Sequence, residues 1–347
     1  MEFFPRLVLL GCVLASFVLP HSVVADNGTS EPVLTVIERT TQPLLEADRP
    51  WEDFCIGYCS VLRVGNDWHL WYDSYDRNYR DDNDCYSCYA CSKDGVHWKK
   101  PPLGIYSYQG NKNNNIMGFG THGVTVFLDE KAPTAERFKA VGVRQPKGKS
   151  AWWVYGATSP DGIHWKWHPE PLLKKNSDTA DICIHDGDVY RLYARMWSGP
   201  KRFSGNRIIG YSQSPRFENF SDPVAILAAD KDDPSNTQFY NPATSRISDD
   251  LYLMFPSGLM PDGSLPVYTA FSRDGKQFRR LARKPLLESG KGFDNKGIYV
   301  GSCAIPGEKP NTYWLYYLGT SVPHDDNLPT KVHGSGGIGR FLLKIGQ

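Results

Sequence analysis

The sequence predicts an all-β fold, a five-bladed β-propeller in which an N-terminal strand completes the last blade and closes the ring. Three observations predict it. A short phrase recurs, as "CSKDGVHWKKP" at 91–101, "TSPDGIHWKWHP" at 158–169 and "FSRDGKQFRR" at 271–280. Two more alternating strands precede each copy. One strand, 33–39, is left over at one end of the chain, while the last repeat is one strand short at the other.

Each copy of the phrase follows an alternating apolar strand, "CYSCYACS", "AWWVYGATS" or "PVYTAFS", and precedes another. Asp-Gly therefore falls where a tight hairpin turn needs positive φ. A degraded copy, "GYSQSPRFENFSDPVAIL" at 210–227, keeps the serine and an aromatic residue but loses Asp-Gly. From Asp94 to Asp161, Ser214 and Asp274 the period is roughly 60 residues, and a fixed period signals a repeat architecture. Upstream of the hairpins lie strand pairs at 54–65 with 68–75, 124–130 with 137–144, 181–186 with 189–197, and 239–247 with 251–256. Four strands per repeat make a propeller blade. A fifth repeat runs through "GIYVGSCAI" (297–305), "TYWLYYLGTS" (312–321) and "GGIGRFLLKI" (336–345) and lacks one strand, which "VLTVIER" (33–39) supplies. Pairing the two ends removes the open sheet edges. Helical periodicity is absent throughout, so 26–347 reads as one propeller domain.

Residues 1–25 carry one early cation, Arg6, an apolar run, and Val23 and Ala25 before Asp26. That is the layout of a secretory signal peptide and predicts a secreted or periplasmic protein. "LLGC" ending at Cys12 offers a lipid anchor as the alternative; no later apolar run approaches the roughly 20 residues of a membrane helix. Lys+Arg 39 against Asp+Glu 38 leaves no global field to gather a polyanion, which argues against nucleic acid as a partner. Oligomeric state is not encoded in any feature of the sequence. Past the leader stand Cys55, Cys59, Cys85, Cys88, Cys91, Cys183 and Cys303. Their spacing matches no zinc site, and two alternatives stay open: local disulfides within 55–91, or buried thiols packing as small apolar groups. The Asp-Gly repeats offer one carboxylate each where a calcium ion takes roughly six to eight oxygens. They read as turns, and no cofactor is called for.

Strands alternate direction within a blade, so the loops sort onto two rims. Turns between strands 1 and 2 and between strands 3 and 4 are short. Loops between strands 2 and 3 share the opposite rim with the starts of the inner strands, and three are long and charged: 73–84, 196–207 and 320–336. Long loops on a rigid scaffold carry function, which places the site on that rim, at the mouth of the central channel. Arg77, Arg80, Arg144, Lys147, Lys149, Lys201, Arg202, Lys331 and His333 fall in its loops, opposed by Asp76, Asp81, Asp82, Asp84, Asp325 and Asp326. An anionic glycan is one ligand such a rim would take.

The stretches "PWEDFCIGYCSVLRVGNDWHLWYDSY", "SKDGVHWKKPPLGIYSYQGNKNNNIM", "ERFKAVGV", "SDTADICIHDGDVYRLYARMW" and "TYWLYYLGTSVPHDDN" resemble an exported five-bladed propeller family of planctomycete-type bacteria, related to glycoside hydrolase families 32 and 43. The resemblance spans nearly the whole chain after the leader. It implies a carbohydrate substrate and acidic side chains meeting at the axis from successive blades.

Glycoside hydrolysis needs one carboxylate to activate water or attack the anomeric carbon and a second, protonated carboxyl to serve the leaving oxygen. At the first inner-strand entrance stand Glu52 and Asp53, beside Trp51, an aromatic face for a sugar ring. Blade 2 opens on His122 with no acid, a departure from the hydrolase pattern. Blade 3 opens with Asp178 and Asp181. Glu52 with Asp178 is the expected acid pair, with Asp53, Asp181 and Asp294 as further acids at strand entrances. Gln238, Tyr240, Tyr299, Arg195 and His324 are expected to contact substrate. Three function classes follow: a glycosidase, a glycan-binding propeller without catalysis, and a structural or protein-interaction propeller.

Overall fold

The computed structural model describes residues 30–346 except 179, 302 and 325–335. The expected leader at 1–25, Cys12, Lys331, His333, Asp325 and Asp326 lie outside the described residues. Pro32–Gln347 forms one compact unit, built as five blades of antiparallel strands.

Blade 1 is Cys55–Val64, Asp67–Tyr75, Tyr86–Ser92 and Ile116–Phe119. Blade 2 is His122–Leu128, Phe138–Arg144, Trp153–Ser159 and Lys166–Trp167. Blade 3 is Ile182–Asp186, Val189–Trp197, Arg207–Ser214 and Val224–Leu227. Blade 4 is Thr244–Ser248, Leu251–Met254, Ala270–Ser272 and Arg279–Arg280, with a short extra pair, Gln238–Phe239 and Gly258–Leu259. Blade 5 is Gly297–Val300, Thr312–Thr320, Gly337–Gly346 and, outermost, Val33–Arg39. The closing strand pairs from Val33 with Gly346 to Arg39 with Phe341, with a bulge between Val36 and Glu38.

Each strand presents alternate side chains to its two faces, so every blade is apolar on both and stacks against both neighbours. Five core clusters result, one per blade interface. Trp71 and Tyr89 meet Val124 and Phe138 between blades 1 and 2. Val141 and Val154 meet Leu192 and Ala194 between blades 2 and 3, and Tyr193 and Ile209 meet Met254 and Ala270 at the next joint. Leu253 and Phe271 face Tyr317 and Phe341, and Leu318 and Ile338 face Val61 and Leu70.

The repeated phrase proves to be a clasp between blades. Asp94 accepts the backbone N–H groups of Val96 and His97, both at 2.8 Å, while Ser92 Oγ accepts that of Gly95 at 3.0 Å. Asp161 with Ser159, and Asp274 with Ser272, repeat this pattern. Gly95, Gly162 and Gly275 have φ of 71°, 77° and 69°, the left-handed conformation that glycine adopts without penalty. The turn so formed aims each glycine carbonyl at the preceding blade. Gly95 accepts from Tyr316 Oη, Gly162 from Trp71 Nε1 and Gly275 from Tyr193 Oη, each at 2.7 Å. The first copy departs from the expected hairpin: Lys99 makes only an isolated bridge to Cys91, and the fourth strand of blade 1 comes later, at Ile116–Phe119. The seven cysteines among the described residues are free thiols. Cys59 and Cys88 sit in the core between blades 5 and 1, and Cys183 in that between blades 2 and 3, packing as small apolar groups.

Candidate active site

Inner strands begin side by side around the axis, so the first residues of every blade converge on one point. Tyr58 of blade 1 and Tyr240 of blade 4 share a hydrogen bond of 2.8 Å between their hydroxyls. The Tyr58 ring also meets His122 of blade 2 edge-on at 5.2 Å and Tyr299 of blade 5 at 5.5 Å. Tyr299 Oη lies 3.0 Å from His324 Nδ1, and the His324 ring packs 4.5 Å from that of Tyr240. Blade 3 contributes Asp178 and Arg195. Arg195, at the far end of a second strand, is fully buried; its Nε donates to the Tyr240 carbonyl at 2.7 Å, its guanidinium lies 3.7 Å over the Tyr240 ring, and Nη1 is ion-paired with Asp178. Its Nη2 is buried with no hydrogen-bond partner among the described residues.

The charged centre surrounds His122. Its Nδ1 lies 2.7 Å from Tyr75 Oη and 3.1 Å from Asp73 Oδ2, both on the second strand of blade 1. Its Nε2 faces Asp178 Oδ1 across 3.9 Å. Asp82, on the loop after that second strand, completes a triangle: one ligating atom each from Asp82, His122 and Asp178 lie within 4.8 Å of one another. Asp73, Cys85 and His122 form a second such group, which is wholly buried. Burial opposes a charge on His122, but Asp82, Asp73 and Asp178 outweigh it and hold the imidazole up to about 9. Asp181 stands behind Asp178. Burial raises its pKa to about 7, even though Oδ1 accepts from Arg195 N at 3.0 Å and Ser177 Oγ at 2.8 Å. Its Oδ2 has no partner among the described residues.

The expected residues thus divide. His122, Asp178, Arg195, Tyr240, Tyr299 and His324 come together at the mouth, with Asp181 buried beneath. Gln238 holds the edge by accepting Arg207 N at 3.0 Å. Glu52 does not join them and forms no pair with Asp178. It is completely buried, accepts from Tyr72 Oη and Lys100 Nζ at 2.6 Å and from Asp48 N at 3.0 Å, and so serves as a structural ion pair. Trp51 is buried as well, donating Nε1 to Asn115 at 2.9 Å with its ring edge-on to Tyr108, so its face is closed to a sugar. Asp53 is ion-paired to Arg77. Asp294 is ion-paired to Arg39 and accepts from Tyr317 Oη at 2.8 Å, inside blade 5 rather than at the axis. Tyr58 was not anticipated; Asp73, Tyr75 and Asp82 fall within the stretch 73–84 expected on the functional rim, but none was singled out as a site residue. Asp73 and Tyr75 lie at the end of the second strand of blade 1, as Arg195 does in blade 3. Of the cations expected on this rim, Arg77 and Arg80 pair with Asp53 and Asp84, and Arg144 stacks 4.0 Å over the Trp167 ring.

No protein-family model and no curated protein matches the chain. Solved structures do match. An N-acetylgalactosamine deacetylase from F. plautii, in complex with blood group B trisaccharide, has a TM-score of 0.63 at 14% identity, covering 91% of this chain and 94% of that one. The α-L-arabinofuranosidase of Podospora anserina in complex with cellotriose gives 0.59 at 15%, covering 87% and 95%. A glycosyl hydrolase from Bacteroides ovatus gives 0.62 at 12%, covering 89% and 94%. At such identities the likeness shows the shared five-bladed fold, a scaffold on which glycoside hydrolases recur.

Proposed function

We propose that the protein is an exported carbohydrate-active hydrolase that binds a glycan at the propeller mouth and cleaves a glycosidic bond there. The observation that carries this is the convergence of all five blades on Asp178. Tyr58, Tyr240, Tyr299 and His324 supply phenol and imidazole groups for sugar hydroxyls and ring faces for sugar C–H bonds. Asp178, only partly exposed and fixed by Arg195, is the carboxylate that meets the reacting centre. Asp82, across His122, replaces Glu52 as the second acidic group. Their nearest atoms lie within 4.8 Å, on the short side of the carboxyl separations known for this chemistry, roughly 5–5.5 Å for retention and 6.5–9.5 Å for inversion.

The test is reducing-sugar release from a panel of neutral, uronic and sulfated glycans by the wild type, Asp178→Asn and Asp82→Asn. Each variant should lose at least about a hundredfold in turnover. A specific observation favours a second reading, a glycan-binding propeller without catalysis: blade 2 brings a histidine where the hydrolase pattern has an acid. Binding without release across the whole panel would select it.

A further inference from the structure

We infer that Asp82, His122 and Asp178 form a binding site for one divalent transition-metal cation, of the zinc or manganese class, at the axis of the propeller. The inference shares its location with the hydrolase reading above but needs no glycan for its test.

The argument starts from the two nitrogens of His122. Nδ1 is committed to Asp73 and Tyr75 at 3.1 and 2.7 Å, which fixes the plane of the ring and turns Nε2 toward the axis. His122 is only 4% exposed, yet among the described residues Nε2 makes no hydrogen bond; the nearest anion, Asp178 Oδ1, is 3.9 Å away. That gap is too long for a hydrogen bond. It suits two ligands of one ion: bonds of roughly 2.0–2.2 Å to nitrogen and oxygen set neighbouring ligand atoms about 3–4 Å apart. Asp82 lies within the same 4.8 Å triangle.

The surroundings agree. A metal-bound histidine commonly gives its other ring N–H to a carboxylate that orients it, and Asp73 stands in that position. Asp178 divides its oxygens, one toward the triangle and one toward Arg195, so the ligand is held from behind. One imidazole nitrogen with two carboxylates suits zinc or manganese, whereas calcium would require roughly six to eight oxygens. Three protein ligands leave further coordination positions facing the channel, the arrangement of a site open to water or substrate. The triangle draws on blade 1, blade 2 and the segment leading into blade 3, so an ion there would also tie three blades together.

The experiment uses the full chain, stripped with chelator and titrated with Zn²⁺ and separately with Mn²⁺, followed by calorimetry and by elemental analysis after desalting. The expected result is one equivalent per chain and a raised melting temperature for at least one of the two ions. Asp82→Asn, at a half-buried position, should weaken binding at least tenfold, and Asp73→Asn should weaken it about 10–100-fold although Asp73 is not a ligand. Cys85→Ser should leave binding unchanged, which separates this site from the neighbouring Asp73–Cys85–His122 group. Absence of stoichiometric binding of either ion by folded wild type overturns the inference, as does binding undiminished in Asp82→Asn. A chain that cleaves a glycan and takes up neither ion overturns it and keeps the hydrolase reading. A chain that binds the ion and cleaves nothing does the reverse.

Discussion

Arg39 and Asp294 form an ion pair across 255 residues of sequence, joining the closing strand to the entrance of the blade it completes. Tyr317 Oη donates to the same carboxylate oxygen at 2.8 Å, and Arg39 also reaches the Glu288 carbonyl at 2.8 Å. Asp294 is nearly buried, so removing it strands a cation and a phenol. Asp294→Ala should cost roughly 3–5 kcal/mol, the scale for breaking one side of a buried pair, and deletion of 33–39 should cost more by opening two sheet edges. Thermal melting checks both. Melting at the wild-type temperature after the deletion would mean that the strand does not close the ring.

Glu52 and Asp178, acids of similar promise in the sequence, should separate cleanly. Glu52→Gln leaves Lys100 without its buried partner, so the melting temperature should fall while turnover per folded molecule stays within about twofold. Asp178→Asn should lose at least about a hundredfold in turnover, with some loss of stability because Arg195 is buried against it. Normalising rate to folded fraction distinguishes the two. A Glu52→Gln protein that is folded but inactive would restore Glu52 to the chemistry.

Asp181 gives the fold a pH dependence of known sign. Its pKa is raised from 3.8 to about 7 in the folded state by burial, so the fold favours the protonated form. The contribution is fully present below about pH 4 and is lost as pH rises through about 7, by an amount on the order of 2–4 kcal/mol. Asp181→Asn should flatten that decline. Unfolding in urea at pH 4.5, 6 and 8 measures it; an equal slope in both proteins would remove Asp181 as the cause.

Much of this was legible and the reason is local. Strand periodicity and the recurring Asp-Gly phrase depend on neighbouring residues, so the blades, the closing strand at Val33–Arg39 and the rim carrying Arg195, Tyr240 and Tyr299 could be read from the sequence. Glu52 and Asp294 were misplaced because strand-entrance acids look alike until their partners are known. Lys100 is 48 residues from one and Arg39 is 255 from the other. Neither proximity leaves a trace in the local pattern. Asp73 and Tyr75 were placed on the right rim, within 73–84, but were not singled out, because polar and aromatic residues crowd that stretch and only the approach of His122, 47 residues from Tyr75, selects these two.

The inter-blade clasp makes a glycine comparison informative. Gly187 has φ 64°, and a Cβ there would meet nothing within 4 Å, so Gly187→Ala should cost only the left-handed backbone penalty, about 1–2 kcal/mol. At Gly162, with φ 77°, a Cβ would lie 2.8 Å from the Trp71 ring, adding an overpacking cost of roughly 1–3 kcal/mol. Gly162→Ala should therefore destabilise about twice as much. Equal losses in urea unfolding would mean that the clasp yields without cost.

The register that seats Val33 against Gly346 also sets an order of events. During synthesis the first strand of the ring must wait for the last, and its partner edge stays unpaired until the whole chain is available. Contacts so distant in sequence form slowly. In that interval the free strand of one molecule and the open fifth blade of another are complementary, and nothing in their geometry distinguishes self from neighbour. Refolding at high concentration is therefore expected to yield a fraction of strand-exchanged dimers, in which each propeller is latched by its partner's chain, and size-exclusion chromatography of the refolded protein checks it.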